Sequence, residues 1–134
     1  MPKIEKIEGI GPAYAAKLAT AGVTTTAQLL KIAGGKKGRE ELAAKADVPE
    51  KLVLEWVNRA DLMRVKGVGE QFSDLLELAG VDTVKELRTR NAENLTAAMK
   101  KVNAERKAVR RVPTLGEVTR WIEFAKTLEP AVTH

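Results

Sequence analysis

Two short glycine-containing segments are the parts of this 134-residue sequence best suited to hold a ligand. Residues 9–11 read Gly-Ile-Gly and residues 67–69 read Gly-Val-Gly, and each precedes a strongly helical segment. Glycine permits a tight reversal of the chain and lets a ligand approach the main chain without an intervening side chain. Each turn would present main-chain N–H groups at a helix N-terminus, where aligned peptide dipoles favour a phosphate oxygen. The predicted chemistry is therefore phosphate binding, first of all at residues 9–11, with little reading of base sequence. The alternative is that a turn is only a tight connection between helices, and Glu70, directly after the second turn, favours that alternative there.

Side chains suited to catalysis or metal binding are scarce. The sequence contains no cysteine and a single histidine, His134, at its end. Disulfides, thiolate ligands and thiol nucleophiles are therefore excluded, and His134 alone cannot form a metal site. A reactive lysine would need a degree of burial that no sequence pattern reveals. We expect a protein that is not an enzyme, with no catalytic residue, no metal and no organic cofactor.

Positive charge is concentrated in one segment. The formal net charge is +5, and residues 99–111 contain six basic side chains and one acidic side chain, which account for the whole excess. On a continuous helix these cations would form a ridge opposite an apolar face, unless Asn103 interrupts the helix. Such runs are often only solvated, but this concentration of charge favours an anionic partner. The residues of the ridge are Lys100, Arg106, Lys107, Arg110 and Arg111.

The sequence repeats itself over most of its length. Residues 7–30 match residues 65–88 without a gap, at an offset of 58, and eight of the paired positions are identical. A weaker match, at an offset of 65, pairs Trp56 with Trp121 on segments with helical apolar spacing. We interpret the chain as two diverged copies of one unit. Both tryptophans are interpreted as core residues rather than as a surface for stacking bases.

The elements that would position the two turns are helices. Apolar residues recur at spacings of three and four, and no segment alternates as a half-buried strand does. The predicted fold class is therefore all-α. Because no flexible glycine- or serine-rich linker joins them, we expect residues 1–60 and 61–134 to pack as one compact unit with a SAM-domain-like helical architecture. Capping patterns that indicate helix starts occur at Thr25, Asp47, Thr83 and Thr114.

Residues 9–29 resemble the helix-hairpin-helix motif of DNA repair polymerases, ligases and recombinases. The resemblance is carried by Gly9-Ile10-Gly11-Pro12, Lys17-Leu18, Ala21-Gly22-Val23 and Thr25 to Leu29. The tandem arrangement resembles the family called domain of unknown function 4332, whose members are similar paired-hairpin proteins. The resemblance implies that main-chain amides near Gly9, Gly11 and Ala13 hold a phosphate. Lys17 would flank that phosphate, and main-chain carbonyls of the hairpin could hold a monovalent cation.

The predicted function is non-catalytic binding of nucleic acid, with DNA the expected form, through backbone phosphates and with little sequence dependence. The alternative is a protein-interaction adaptor that uses the same helical surfaces. The acidic residues Glu70, Asp74 and Glu77 of the second copy fit that alternative better. The residues expected to contact nucleic acid are Gly9, Ile10, Gly11, Ala13, Lys17, Lys66, Gly67, Gly69, Lys100, Lys107, Arg110 and Arg111.

The sequence carries no membrane signature. No stretch is long and apolar enough to cross a bilayer, and residues 1–9 lack the apolar centre of a signal peptide. We therefore expect a cytoplasmic location and no membrane partner. The sequence leaves the oligomeric state open.

Overall fold

The structure is a computed structural model that describes residues 2–133, and within them the fold is all-α, as the sequence predicts. His134 lies outside the described residues. These residues form no sheet, and an isolated antiparallel bridge pairs Lys3 with Thr25. None of their helices combines the length and apolar character that a bilayer span requires. After a 3-10 helix (Ile4–Lys6) come α1 (Pro12–Thr20), α2 (Thr26–Ala33), α3 (Lys36–Ala46), α4 (Glu50–Leu62), α5 (Glu70–Leu78), α6 (Val84–Leu87), α7 (Ala92–Arg106) and α8 (Leu115–Ala125).

The chain divides into two compact units between Asp61 and Leu62. Unit 1 contains the first copy of the repeat and also the C-terminal segment that begins at Ala131. Unit 2 contains the second copy and ends at Pro130. The expectation that the two copies pack as one rigid body stays a prediction.

Unit 1 is held together by the apolar faces of its helices. α3 packs against both α1 and α2. Leu18 and Trp56 are among the fully buried side chains, and burial of a large apolar side chain contributes about 1.5–3 kcal/mol. The C-terminal segment is fastened to this unit because the buried guanidinium of Arg39 donates to the carbonyls of Gly34 (2.7 Å) and Thr133 (2.6 Å).

Unit 2 has a core of its own. α7 packs against α5 and α8, and α6 also packs against α8. Their apolar faces meet in one buried cluster that includes Met99 and Trp121. Val65 and Val68, which lie on either side of Gly67, belong to the same cluster. The turn at residues 67–69 is therefore anchored in the core of unit 2.

Capping residues start three helices where the sequence predicts them. Thr25 and Thr114 each form a complete capping box, and the side chain of Thr83 caps α6. The predicted cap at Asp47 is wrong. Asp47 has a φ of 56° and ends α3, a left-handed position that aspartate tolerates better than most residues do.

Candidate nucleic-acid interface

The first turn (residues 9–11) and the second turn (residues 67–69) have the same backbone geometry. Gly9 and Gly67 both have a φ of +94°, which glycine adopts without a steric penalty. In each turn the N–H of the middle residue, Ile10 or Val68, donates to the carbonyl three residues earlier, at 3.1 and 3.0 Å. Both middle side chains are buried. Ile10 therefore offers a ligand neither its N–H nor its side chain, contrary to the prediction.

Each turn leads into a helix N-terminus that is open to an external acceptor. Gly11 precedes α1 and Gly69 precedes α5, and within residues 2–133 no side chain caps either helix. The first N–H groups of an α-helix have no partner inside the helix. In α1 these include the N–H of Ala13, whose side chain is exposed. A Cβ added at Gly11 or Gly69 would meet nothing within 4 Å, so a ligand can approach both ends.

A buried tryptophan lies beneath each turn. Trp56 and Trp121 are 1% and 2% exposed, which confirms their interpretation as core residues. The indole Nε1 lies 3.8 Å from the position that a Cβ would occupy at Gly9, and 3.0 Å from the corresponding position at Gly67. Glycine at position 67 therefore keeps the main chain close to the indole, and a side chain there would press on it.

Acidic residues adjoin the first turn and its tryptophan in the sequence, and we call this pair, Glu8 and Glu55, the acidic rim. Glu8 directly precedes Gly9, and Glu55 directly precedes the tryptophan beneath the turn. The guanidinium of Arg59 donates to the main-chain carbonyl of Glu8 at 2.5 Å, and it lies 3.5 Å from the Cβ position of Gly9. The sequence therefore supplies two carboxylates next to the first turn and its tryptophan, and the cation beside the turn is already engaged by the main chain.

The rim of the second turn has the opposite charge at the equivalent positions. Lys66 stands where the first copy has Glu8, and Arg120 stands where it has Glu55. Neither cation has a hydrogen bond or ion pair with another residue of the described range. Both line a cavity of about 370 Å³. The other residues that line this cavity are Gly67, Glu117, Trp121 and Phe124.

The carboxylate in this cavity is neutralised by an arginine that does not line it. Arg111 donates through both terminal nitrogens to Glu117, at 2.6 and 3.1 Å. This bonding is the main reason that the pKa of Glu117 is lowered to about 2. The same guanidinium lies 5.5 Å from the ring centroid of Phe72. Arg111, a predicted phosphate contact, is thus committed to Glu117, and Lys66 and Arg120 remain as the uncompensated charges of the cavity.

The basic segment is not one continuous helix. α7 ends at Arg106, and Lys107 takes a left-handed conformation with a φ of 51°. The side-chain amide of Asn103 donates to the carbonyl of Val109 at 3.1 Å and accepts from its N–H at 2.9 Å. A side chain that bonds the main chain in this way competes with continuation of the helix. The predicted ridge is therefore wrong, and its cations are divided between α7 and the loop that follows.

The model of one protein family matches residues 8–128, which is most of the chain. That family is described as a domain of unknown function, DUF4332. The chain belongs to the DUF4332 family. No curated protein and no solved structure matches it significantly. Membership confirms the resemblance of the tandem sequence to DUF4332 and assigns no activity.

The fold brings some predicted site residues of this DUF4332 chain together and separates others. Lys66 and Gly67 line the same cavity, and the open N-terminus of α5 follows at Gly69. Lys17 donates from the last turn of α1 to the carbonyl of Asp47, at 3.1 Å, and its predicted place beside a phosphate at the first turn stays a prediction. Three other predicted contacts are exposed and form no ion pair within the described part of the chain, namely Lys100, Lys107 and Arg110.

Sequence reasoning missed two residues of the candidate site in this DUF4332 chain. Arg120 and Phe124 lie on α8 near Trp121 and line the cavity with it. A signal for the first of them is present in the repeat, because alignment on the tryptophans pairs Arg120 with Glu55. The residue before the tryptophan is thus acidic in the first copy and basic in the second, which indicates that the two turns suit ligands of different charge.

Ligands for a metal ion are scarce in the DUF4332 chain. Across residues 2–133, no three histidine, aspartate or glutamate side chains are grouped closely enough to hold a metal. The monovalent cation at the first hairpin stays a prediction. Two carbonyls next to that turn already accept hydrogen bonds, since Ile7 accepts from Ile10 and Glu8 accepts from Arg59.

Proposed function

We propose that this protein binds the backbone phosphates of nucleic acid, with DNA the expected form, and that it does so without catalysis. The observation that carries the proposal is the cavity at the second turn, where Lys66 and Arg120 have no partner within residues 2–133. Proteins commonly hold phosphate with such charge-assisted donors and with the N–H groups of a helix N-terminus. None of these donors reads a base edge, so we expect little sequence preference.

Further exposed cations of unit 2 support the same function. They lie on α7 and on the loop that follows it, in the same unit as the cavity. A concentration of positive charge attracts a polyanion and speeds its association. Each phosphate that is neutralised contributes about −0.9 to the slope of log affinity against log salt, so about five contacts would give a slope near −4.5. The cations are Lys100, Lys101, Arg106, Lys107 and Arg110.

Fluorescence anisotropy with labelled duplex and single-stranded DNA across a salt series tests the proposal. The native chain should bind at low salt, and its affinity should fall steeply as salt rises. The double variant Lys66→Glu/Arg120→Glu gives the second turn the charges of the first. It should bind at least tenfold more weakly, because each charge-assisted bond contributes about 1.5–3 kcal/mol. Absence of binding at low salt would contradict the proposal.

A matched double variant separates the cavity from net charge alone. Lys31→Glu/Lys85→Glu changes the net charge equally at exposed positions on α2 and α6 that do not line the cavity. This variant should bind DNA more weakly only to the extent that the lower net charge of the protein reduces its attraction to DNA. Circular dichroism should show native helicity in both double variants. Equal weakening of the two would mean that the cavity is not the binding site.

A protein partner is the second candidate function, and it is favoured by the acidic rim of the first turn and by Glu70, Asp74 and Glu77 on α5. Glu8 and Glu55 would repel a phosphate, whereas a basic segment of another protein would complement them. Titration of the ¹⁵N-labelled chain with a lysine-rich peptide tests this candidate by NMR. Shifts of the main-chain amides of Gly9 and Gly11 would support it, and an unchanged spectrum would reject it.

A further inference from the structure

We propose that the cavity at the second turn takes the end of a single DNA strand, with the terminal phosphate against Lys66 and Arg120 and the unpaired base on Phe124. This inference rests on the proposed function. It specifies the part of the nucleic acid that the site binds, namely a single-stranded end. A duplex end, an internal phosphodiester and free phosphate are the competing ligands against which it is tested.

The size of the cavity suits one nucleotide. Its volume is about 370 Å³, near the lower end of the range of about 300–1,000 Å³ that small-molecule sites occupy. A B-form duplex is far wider, with a major groove alone about 12 Å across. A duplex backbone can therefore touch the mouth of the cavity, but its stacked and paired bases cannot enter.

The charge of the cavity suits a terminal phosphate. A phosphate monoester carries a charge of about −1.5 to −2 at pH 7, whereas an internal phosphodiester carries a single negative charge. Lys66 and Arg120 supply the two cations that have no partner in the described chain. The charge of Glu117 is offset by its ion pair with Arg111. A terminal phosphate therefore neutralises this cavity more completely than an internal one does.

The indole N–H of Trp121, beside the second turn, has no partner within the described residues and keeps some contact with solvent, because the buried polar side-chain atoms that lack a partner there are Asn58 Oδ1 and Arg90 Nε. Trp121 as a whole is 2% exposed. An accessible indole N–H can donate to water or to a ligand. The indole Nε1 lies 3.0 Å from the Cβ position of Gly67, and both residues line the cavity. Because Gly67 has no side chain, a phosphate oxygen placed over it can reach this donor.

Phe124 supplies a surface for the base. Its ring lines the cavity and is 37% exposed. At the equivalent position the first copy has Arg59, whose guanidinium binds the carbonyl of Glu8. Every base has a face that can stack on an aromatic ring, so this contact tolerates any sequence. It does require a base that is not already stacked within a duplex, which selects a single-stranded end.

The two tryptophans provide an internal comparison for the first experiment. A ¹⁵N–¹H spectrum of the full chain contains one indole N–H signal from Trp56 and one from Trp121, which a Trp121→Phe variant distinguishes. Titration with a short 5′-phosphorylated oligothymidylate should shift the Trp121 signal and leave the Trp56 signal in place. If anisotropy shows binding while Trp121 does not shift, or while only Trp56 shifts, this inference is overturned and the proposed function stands.

The form of the ligand and the Phe124 side chain provide the second experiment. The 5′-phosphorylated strand should bind about tenfold more tightly than the same strand with a 5′-hydroxyl or than a blunt duplex. Phe124→Ala should weaken binding of the strand about tenfold, and Phe124→Tyr should preserve it. Leu115→Ala, at another exposed apolar side chain of α8, is the matched control and should bind as the native chain does.

The remaining outcomes separate the two proposals. Equal affinity for phosphate and hydroxyl ends would overturn the inference, and so would inorganic phosphate that competes as well as the phosphorylated strand. An equal loss in Phe124→Ala and Leu115→Ala would also overturn it. If no form of DNA binds at low salt, the proposed function fails and the inference fails with it.

Discussion

Arg111 holds Glu117 in a bidentate ion pair, at 2.6 and 3.1 Å, beside the cavity of the second turn. The pair has two effects on the charge of this region. It offsets the carboxylate of Glu117 in a cavity that also contains two cations, and it removes Arg111 from the set of uncommitted basic side chains. The positive character of the cavity therefore depends partly on a residue that does not line it.

The Arg111–Glu117 pair should make stability depend on pH in acid. The pKa of Glu117 is lowered from 4.5 to about 2, so its stabilisation is present above about pH 4.5 and is lost as the pH falls through about 2. In urea unfolding, the difference in unfolding free energy between the native chain and Glu117→Gln should be constant above about pH 6 and should shrink below about pH 4.5. Glutamine can preserve the capping box with Thr114, so the difference reports the charge. A difference that does not vary with pH would refute this prediction.

Gly67→Ala should destabilise the chain, and Gly69→Ala should not. Gly67 has a φ of +94°, and a Cβ there would lie 3.0 Å from Nε1 of Trp121, so we expect a loss of about 1–3 kcal/mol. Gly69 is extended, and a Cβ there would meet nothing within 4 Å. Its substitution should change the unfolding free energy by less than about 0.5 kcal/mol. Urea unfolding of both variants checks this, and equal losses would be inconsistent with the geometry of the turn.

Asn103→Ala should destabilise the end of α7. The variant loses both hydrogen bonds to the main chain of Val109, and we expect a cost of about 1–3 kcal/mol. Asn103→Asp keeps an acceptor for the N–H of Val109 and should cost less. Hydrogen exchange at Val109 should be faster in the alanine variant than in the native chain. Native stability of Asn103→Ala would show that another contact ends the helix.

Reversing the charges at the rim of the first turn should add phosphate contacts. Glu8→Lys/Glu55→Arg places there the cations that the second copy carries. The slope of log affinity against log salt should become steeper by about 1.8 for duplex DNA, which corresponds to two further contacts. Glu40→Lys/Glu41→Lys changes the net charge equally at exposed positions of α3 and is the control. If the control steepens the slope as much, the position of the charge does not matter.

The helical fold, the repeat and the two turns could be predicted from the sequence because local chemistry decides them. A positive φ at Gly9 and Gly67 requires a residue without a Cβ, and this requirement is visible in the residue type. The capping boxes at Thr25 and Thr114 close within four residues. Such features involve neighbours along the chain, so the sequence alone indicates them.

The structure of the basic segment, residues 99–111, could not be predicted from its apolar spacing alone. Apolar spacing treats residues 99–111 as one helix, but the bonds between Asn103 and Val109 belong to a competing local structure. The sequence identified Asn103 as a residue that could interrupt the helix, and the structure confirms the interruption. Which of the two structures forms depends on the packing of α7 and on the burial of Val109, and neither is encoded in the spacing.

Only the tertiary structure decided which cations are free to bind an anion. In the sequence Arg111 and Arg120 look alike, but the fold places Glu117 against Arg111 and leaves Arg120 with no partner in the described chain. Lys17 is likewise engaged by a carbonyl thirty residues away, that of Asp47. Composition determines which charges exist, whereas the packing of helices determines the distances between them. Because ion pairs and hydrogen bonds weaken steeply with distance, those distances decide which charges remain uncompensated.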